Sequence, residues 1–243
     1  MSNLCLDIGN TRWKAGVFDG ESLETLQVFD SQHAVEKIKS LLYNHSIEHT
    51  IFSTVNQISE EVLQYLQSHT QVLELNHKTQ LPIQSKYETP QTLGPDRIAA
   101  VMGIFGVFEQ ALVIDVGTCI TYDVLTNGNI YQGGNISPGL SMRFKALNHY
   151  TGKLPLIDPT TDELVCIGSS TEQAIQVGVI QGILHEIEGF IEQYSSRYGE
   201  MSVIMTGGDS NYLVERLKKM IFVRPNLVLE GLSKILVHHV QNK

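Results

Sequence analysis

The feature that most constrains this chain is an acidic turn written twice. LCLDIGNTRWKAGVF runs from Leu4 to Phe18, and LVIDVGTCITYDVL from Leu112 to Leu125. Superposing Asp7 on Asp115 also superposes Gly9 on Gly117 and Asn10 on Thr118. Each copy reads as an apolar strand ending in Asp, a glycine turn, hydroxyl or amide side chains, and a second strand. Two such turns facing one another would line a cleft with carboxylates, backbone N–H groups and hydroxyls. That inventory suits a phosphate–metal complex better than an apolar ligand. Gly-Asn and Asp-Gly pairs are also ordinary hairpin signals, so the repeat alone leaves duplication and coincidence both open.

A chain of 243 residues can bury roughly 70 to 75% of the surface its unfolded form exposes, in one core or two. Seventeen Lys and Arg against 26 Asp and Glu give a net charge of −9. That balance argues against broad binding to a nucleic-acid backbone and points to small molecules or another protein as partners. No apolar run reaches membrane-spanning length and no secretory pattern opens the chain, so the expected compartment is the cytoplasm, with no membrane partner. Cys5, Cys119 and Cys166 lack metal-ligand spacing and are expected to be buried thiols. His238 and His239 read as a polar helix face.

Three closely spaced apolar runs, Leu4 to Ile8, Trp13 to Phe18 and Thr25 to Phe29, predict an antiparallel meander. Ala34, Val35, Ile38, Leu41 and Leu42 recur at helical spacing, Thr50 to Val55 and Val72 to Leu75 read as strands, and Val62, Leu63 and Leu66 mark a second helix. Residues 76–95 carry three prolines and predict an irregular connection over the cleft. A helix is expected from Asp96 to Phe108.

The second half repeats the opening with strands at Leu112 to Val116, Ile120 to Leu125 and Asn129 to Gly133. The segment Gly133 to Gly139 holds too much glycine for a helix or central strand and is expected to turn sharply. Further expectations are helices over Ser141 to Leu147 and about Ser170 to Tyr194, an irregular stretch at 153–162, and a strand from Ser202 to Met205. A helix through Tyr212, Leu217 and Met220, a short strand at Ile221 to Val223 and a last helix over Leu229 to Val240 complete the series. The architecture expected is two similar α/β halves, residues 1–110 and 111–243.

Several strings taken together are highly specific: DIGNTRWK from Asp7 to Lys14, YETPQTLGPDR from Tyr87 to Arg97, and DVGTCIT from Asp115 to Thr121. GGNISPG from Gly133 to Gly139, the segment around Thr171 and TGG at Thr206 to Gly208 complete the set. In this order, across almost the whole chain, they resemble the type III pantothenate kinases, members of the actin-like ATPase and sugar-kinase superfamily. The resemblance implies an α/β fold of two similar ribonuclease-H-like domains, each a mixed sheet flanked by helices. It implies ATP-dependent phosphorylation of pantothenate at its primary hydroxyl to 4′-phosphopantothenate, the entry step to coenzyme A. It also implies a homodimer with its substrate pocket near the subunit interface, a requirement for Mg²⁺, and a monovalent cation such as K⁺ or NH₄⁺.

Carried residue by residue, the resemblance places Asp7, Ile8, Gly9, Asn10, Thr11, Arg12, Trp13 and Lys14 in the first ATP segment, and Thr118 in the second. Asp7 would reach Mg²⁺ through water, since a bare carboxylate repels polyphosphate. Lys14 would neutralise charge developing in transfer, or serve as a strand-edge cation. Trp13 reads as packing more than as an adenine platform. Asp115 resembles the monovalent-cation ligand. Tyr87, Gly94, Pro95, Asp96, Arg97 and Thr171 resemble the acceptor site, with Asp96 the general base that orients the alcohol and takes its proton late.

Structural roles compete at several of these positions: an Asx turn for Asp7, a helix N-cap for Asp96 or Thr171, and a loop pin for Tyr87. Arg97 suits either a substrate carboxylate or phosphates. Gly133, Gly134, Gly139 and the TGG turn read as shaping the nucleotide cleft. The alternative functions are a kinase for another small hydroxylated acid or sugar, and a catalytically inactive regulatory relative.

Overall fold

Apolar residues alternate along the first strand so that Leu4, Leu6 and Ile8 point to one face and Cys5 and Asp7 to the other. Around that strand the computed structural model, which describes residues 2–9, 12–55, 58–158 and 165–242, builds a mixed sheet. Asn10 and Thr11, and 159–162 of the expected irregular stretch, lie outside the described residues.

In chain order the elements are β1 (Ser2–Ile8), β2 (Trp13–Asp19), β3 (Ser22–Phe29), α1 (Ala34–Asn44), β4 (Ile47–Thr54), α2 (Glu60–His69), β5 (Gln71–Glu74), β6 (Gln84–Ser85) and α3 (Pro95–Ile104). Then come β7 (Ala111–Val116), β8 (Cys119–Thr126), β9 (Ile130–Pro138), α4 (Leu140–His149), α5 (Thr171–Tyr198), β10 (Ser202–Thr206), α6 (Ser210–Val214), β11 (Phe222–Val223) and α7 (Leu227–Gln241). They form two units. The first holds Met1–Phe108, Gly128–Gln132 and Asn226–Lys243, and the second holds Glu109–Asn127 and Gly133–Pro225.

The first unit carries a sheet of order β3-β2-β1-β4-β5. The meander β1–β2–β3 is antiparallel, whereas β4 and β5 run parallel to β1. Leu4, Leu6 and Ile8 pack on the face covered by α1 and α2, with Ile38, Leu41 and Leu66 from the helices. The opposite face carries α7, whose Ser233 meets Cys5, and α3 packs against α7.

The two helices cross at glycines. A Cβ on Gly231 would lie 1.7 Å from Ala99 O, and one on Gly103 would lie 2.6 Å from Leu227 O. Only missing side chains permit this backbone approach. Lys234 Nζ closes the crossing by donating to Gly103 O at 3.1 Å and Phe105 O at 2.9 Å, where helix carbonyls lack intrahelical partners.

Within the same unit the stretch over 76–95 is not wholly irregular. Its strand β6 pairs in parallel with the start of β9, Gln84 opposite Ile130 and Ser85 opposite Tyr131, and a 3-10 turn follows at Pro90–Thr92.

The second unit carries the strand order β11-β10-β7-β8-β9, with β7 and β8 antiparallel and β10 and β11 running parallel to β7. Helix α5 buries Ile180, Ile183, Ile187 and Ile191 against it. Two mixed sheets flanked by helices are thus what the sequence led us to expect.

Three local expectations are corrected. Gly133 to Pro138 does not turn sharply; it continues strand β9. Gly134 serves close strand contact, since a Cβ there would fall 1.8 Å from Tyr122 O. The helix expected through Met220 stops at Val214. Of the three thiols only Cys5 is buried, Cys119 being half-buried and Cys166 exposed.

Candidate functional site

Asp7 lies near the end of β1, where the ladder sets Lys14 opposite it on β2 and Ser53 opposite it on β4. Ser53 Oγ donates to Asp7 Oδ1 at 3.2 Å. Burial pushes the Asp7 carboxyl up to about 6, the neighbouring Asp96 carboxylate adds to the rise, and Lys14 and the Ser53 hydrogen bond oppose it. Two carboxylates therefore sit close enough in the first unit to repel one another.

The turn after Asp7 is tight. Gly9 N donates to Arg12 O at 3.2 Å, and a Cβ on Gly9 would stand 3.0 Å from that oxygen. Ile8 and Trp13 bury their side chains in the core, where the Trp13 ring lies 6.1 Å from Phe29. Trp13 is thus a packing residue through its ring. Lys14 is half-buried and Arg12 exposed.

Asp96 enters through the head of α3. Gly94 is the capping residue, and Pro95 follows at the first helical position, where its missing N–H costs nothing and its fixed φ suits the helix. The N-cap alternative for Asp96 is not realised. Its Oδ1 instead accepts the Arg97 backbone N–H at 2.9 Å. Gly94 is required by that rotamer, because a Cβ there would stand 2.5 Å from Asp96 Oδ1.

Arg97 is only 5% exposed. Its guanidinium lies 5.7 Å from the centroid of the Tyr87 ring, and Tyr87 stacks on Tyr131 with centroids 6.3 Å apart and planes 16° from parallel. Tyr131 falls in none of the motif strings and reads as an ordinary strand aromatic.

In the second unit Asp115 stands opposite Thr121 on β8 and Thr206 on β10. Gly117 N donates to Cys119 O at 3.0 Å, and Gly139 N donates to Thr118 O at 3.1 Å. Gly207, at φ +96, brings the TGG turn against this one; a Cβ there would meet Val116 O at 2.4 Å and Asp115 Oδ1 at 2.5 Å. Asp209 N donates to Val116 O at 3.1 Å, and burial raises the Asp209 carboxyl. Asp209 is a second acidic group at this turn that the TGG motif did not flag. Thr118 is exposed and Thr121 half-buried. Thr171 is the exposed first residue of α5, and the cap is Ser170, whose Oγ accepts the Gln173 N–H at 3.2 Å.

Among the described residues no three His, Cys, Asp or Glu side chains converge on a metal-sized space. The donor sets fit cations completed by other ligands. The repelling Asp7 and Asp96 carboxylates fit Mg²⁺ held through water and phosphate oxygens. Asp115 Oδ1 and Val116 O both pack against Gly207, a carboxylate and a carbonyl of the oxygen type a monovalent cation takes.

Known proteins are similar to this chain along most of its length. The profile of the type III pantothenate kinase family matches residues 3–193. A type III pantothenate kinase of Flavobacterium johnsoniae is 38% identical over 243 residues, covering 98% of this chain and 99% of its own. Among solved structures, a conserved Campylobacter jejuni protein placed in the Baf family of transcriptional activators superposes with TM-score 0.68 at 23% identity, covering 98% of this chain and 99% of its own. A ROK family glucokinase from Streptomyces griseus, solved with glucose and AMPPNP, superposes with TM-score 0.50 at 13% identity, covering 99% and 100%. At these identities the two structures show the fold alone.

Proposed function

The chain belongs to the type III pantothenate kinase family, and from that membership we propose that it transfers the γ-phosphoryl group of ATP to the primary hydroxyl of pantothenate. The product is 4′-phosphopantothenate, and the step opens coenzyme A synthesis. The observation that carries the reading within the fold is the acidic pair: Asp7, buried at its glycine turn with its carboxyl raised to about 6, and Asp96 at the head of α3, close enough that its carboxylate adds to the rise that burial causes.

Asp96 orients the acceptor alcohol and takes its proton as the new O–P bond forms and the bond to the ADP oxygen breaks. An ordinary carboxylate is too weak to ionise a free alcohol beforehand, so orientation dominates. Gly94 and Pro95 fix the carboxylate, while Tyr87, Arg97 and Thr171 contact the acceptor. Backbone N–H groups of the turn from Asp7 to Lys14 hold the ATP phosphates, the Lys14 ammonium offsets charge that grows in transfer, and the Thr118 hydroxyl adds a second contact to ATP.

Asp7 would hold Mg²⁺ through water, and the ion would supply positive charge against the phosphates; Asp115 would hold K⁺ or NH₄⁺. In this scheme residues 1–110 carry the first phosphate motif and the acceptor segment, and residues 111–243 carry the second phosphate motif and the nucleoside-side TGG turn. We further place the protein in the cytoplasm as a homodimer. Among the described residues no helix is long and apolar enough to cross a membrane, and Ile136, Tyr150 and Ile167 are strongly exposed.

The test is ATP-dependent formation of 4′-phosphopantothenate with Mg²⁺, with and without K⁺ or NH₄⁺. Efficient transfer to another hydroxy acid or a sugar, with little to pantothenate, would overturn the acceptor assignment. Nucleotide binding without any turnover would favour a regulatory role. Equal activity after exhaustive exchange of the monovalent ion for a nonbinding organic cation would remove the cation role of Asp115.

A further inference from the structure

Resting on the acceptor reading of Tyr87 and Arg97, we infer that Tyr131 is the positioning residue of the acceptor site, acting through a stack that runs from its own buried ring through Tyr87 to Arg97.

Tyr131 is fully buried near the start of β9. Tyr87, by contrast, is half-buried in a segment without regular structure, where Lys86, Glu88 and Thr89 are all exposed. Such a segment has no core of its own to fix a side chain. Two backbone bonds bring it to the strand: Gln84 N donates to Asn129 O at 2.8 Å, and Lys86 N donates to Tyr131 O at 2.9 Å. The residue immediately before Tyr87 is thereby fastened to the carbonyl of Tyr131. Tyr87 N also donates to Ser85 Oγ at 3.2 Å, which fixes the direction in which the chain leaves β6.

The near-parallel ring stack follows, with centroids 6.3 Å apart, in the range where aromatic pairs attract beyond their area burial. Arg97 completes it, with its guanidinium carbon 5.7 Å from the Tyr87 centroid, within reach of a cation–π contact. Tyr131 thus sets the ring that in turn sets the guanidinium. Its own ring, buried in the first unit, does not meet the acceptor.

Kinetics of three variants test this chain of contacts. Tyr131→Leu keeps apolar volume and removes the ring face. We expect the pantothenate KM to rise about three- to tenfold, with kcat and the ATP KM changed less than about twofold. Tyr131→Phe keeps the stack and restores the parent KM. In a Tyr87→Ala background, where the pantothenate KM is already raised, Tyr131→Leu adds nothing further. If Tyr131→Leu lowers the melting temperature enough to confuse kinetics, Tyr131→Met takes its place, since an unbranched side chain adapts to irregular gaps.

An unchanged pantothenate KM in Tyr131→Leu, with a raised one in Tyr87→Ala, sinks the positioning role and leaves the acceptor reading standing. A full additional rise in the double variant shows action by another route and also defeats it. An unchanged KM in Tyr87→Ala removes the acceptor role of Tyr87, and the role of Tyr131 with it.

Discussion

Burial, with the nearby Asp96 carboxylate adding to it, holds the Asp7 carboxyl above its ordinary range, and that shift makes stability depend on pH. The Asp7 carboxyl rises from 3.8 to about 6 on folding, so the folded state holds the extra proton between those values. The stability this contributes is fully present below pH 3.8 and is lost as pH rises through about 6. Asp7→Asn should therefore raise the urea-unfolding free energy of the nucleotide-free protein at pH 7.5 by roughly 1–3 kcal/mol, and the advantage should vanish near pH 3.8. The same ionisation predicts an acid limb near pH 6 in kcat/KM for the parent enzyme.

Asp96→Asn should cut kcat by about 10²- to 10⁴-fold with little change in ATP affinity, measured by nucleotide titration. A full-rate variant would remove Asp96 from proton transfer. Gly94→Ala should displace the Asp96 carboxylate, because the new methyl would sit 2.5 Å from Oδ1. Its kcat should fall while its melting temperature stays close to the parent's.

Legibility at this scale followed chemistry. Asp7 and Asp96 stood out because a carboxylate at a glycine turn or a helix start is a local pattern. Tyr131 and Asp209 did not, because what distinguishes them is which ring or carbonyl lies across a gap between strands.

At the scale of elements, the glycine-mediated crossing of α3 and α7 positions the head of α3. Gly231→Ala would force a methyl to within 1.7 Å of Ala99 O. Overpacking of this kind typically costs about 1–3 kcal/mol, and here backbone must move, so the upper end or beyond is expected in chemical denaturation. A parallel loss of kcat would show that the crossing also sets Asp96. Ser170→Ala should lower stability by about 1 kcal/mol through the lost cap on α5.

Helices with a clear apolar period, such as α1 and α5, and the opening meander could be read from spacing alone. The course of β9 could not. Glycine-rich sequence reads as a turn, whereas Gly134 lies in a strand whose neighbour's carbonyl occupies the space of a side chain. The 3.6-residue apolar pattern after Thr206 likewise survives where α6 ends at Val214, so periodicity alone overextended that helix.

For the whole molecule, alternation of strands and helices made the α/β class and two mixed sheets legible, while membership of α7 in the first unit was not. An apolar helix carries no mark in its own sequence of which sheet it will cover. The subunit count belongs to this scale too. Sedimentation equilibrium should return twice 27.1 kDa, and a monomer across the working concentration range would contradict the dimer. Because α3 rests on α7, and α7 is translated long after it, a ribosome that has already released Asp96 has not yet made the support for it. A nonsense codon between Gly208 and Asn226 would then yield a polypeptide bearing every motif residue of the proposed chemistry, yet unable to hold its base in place.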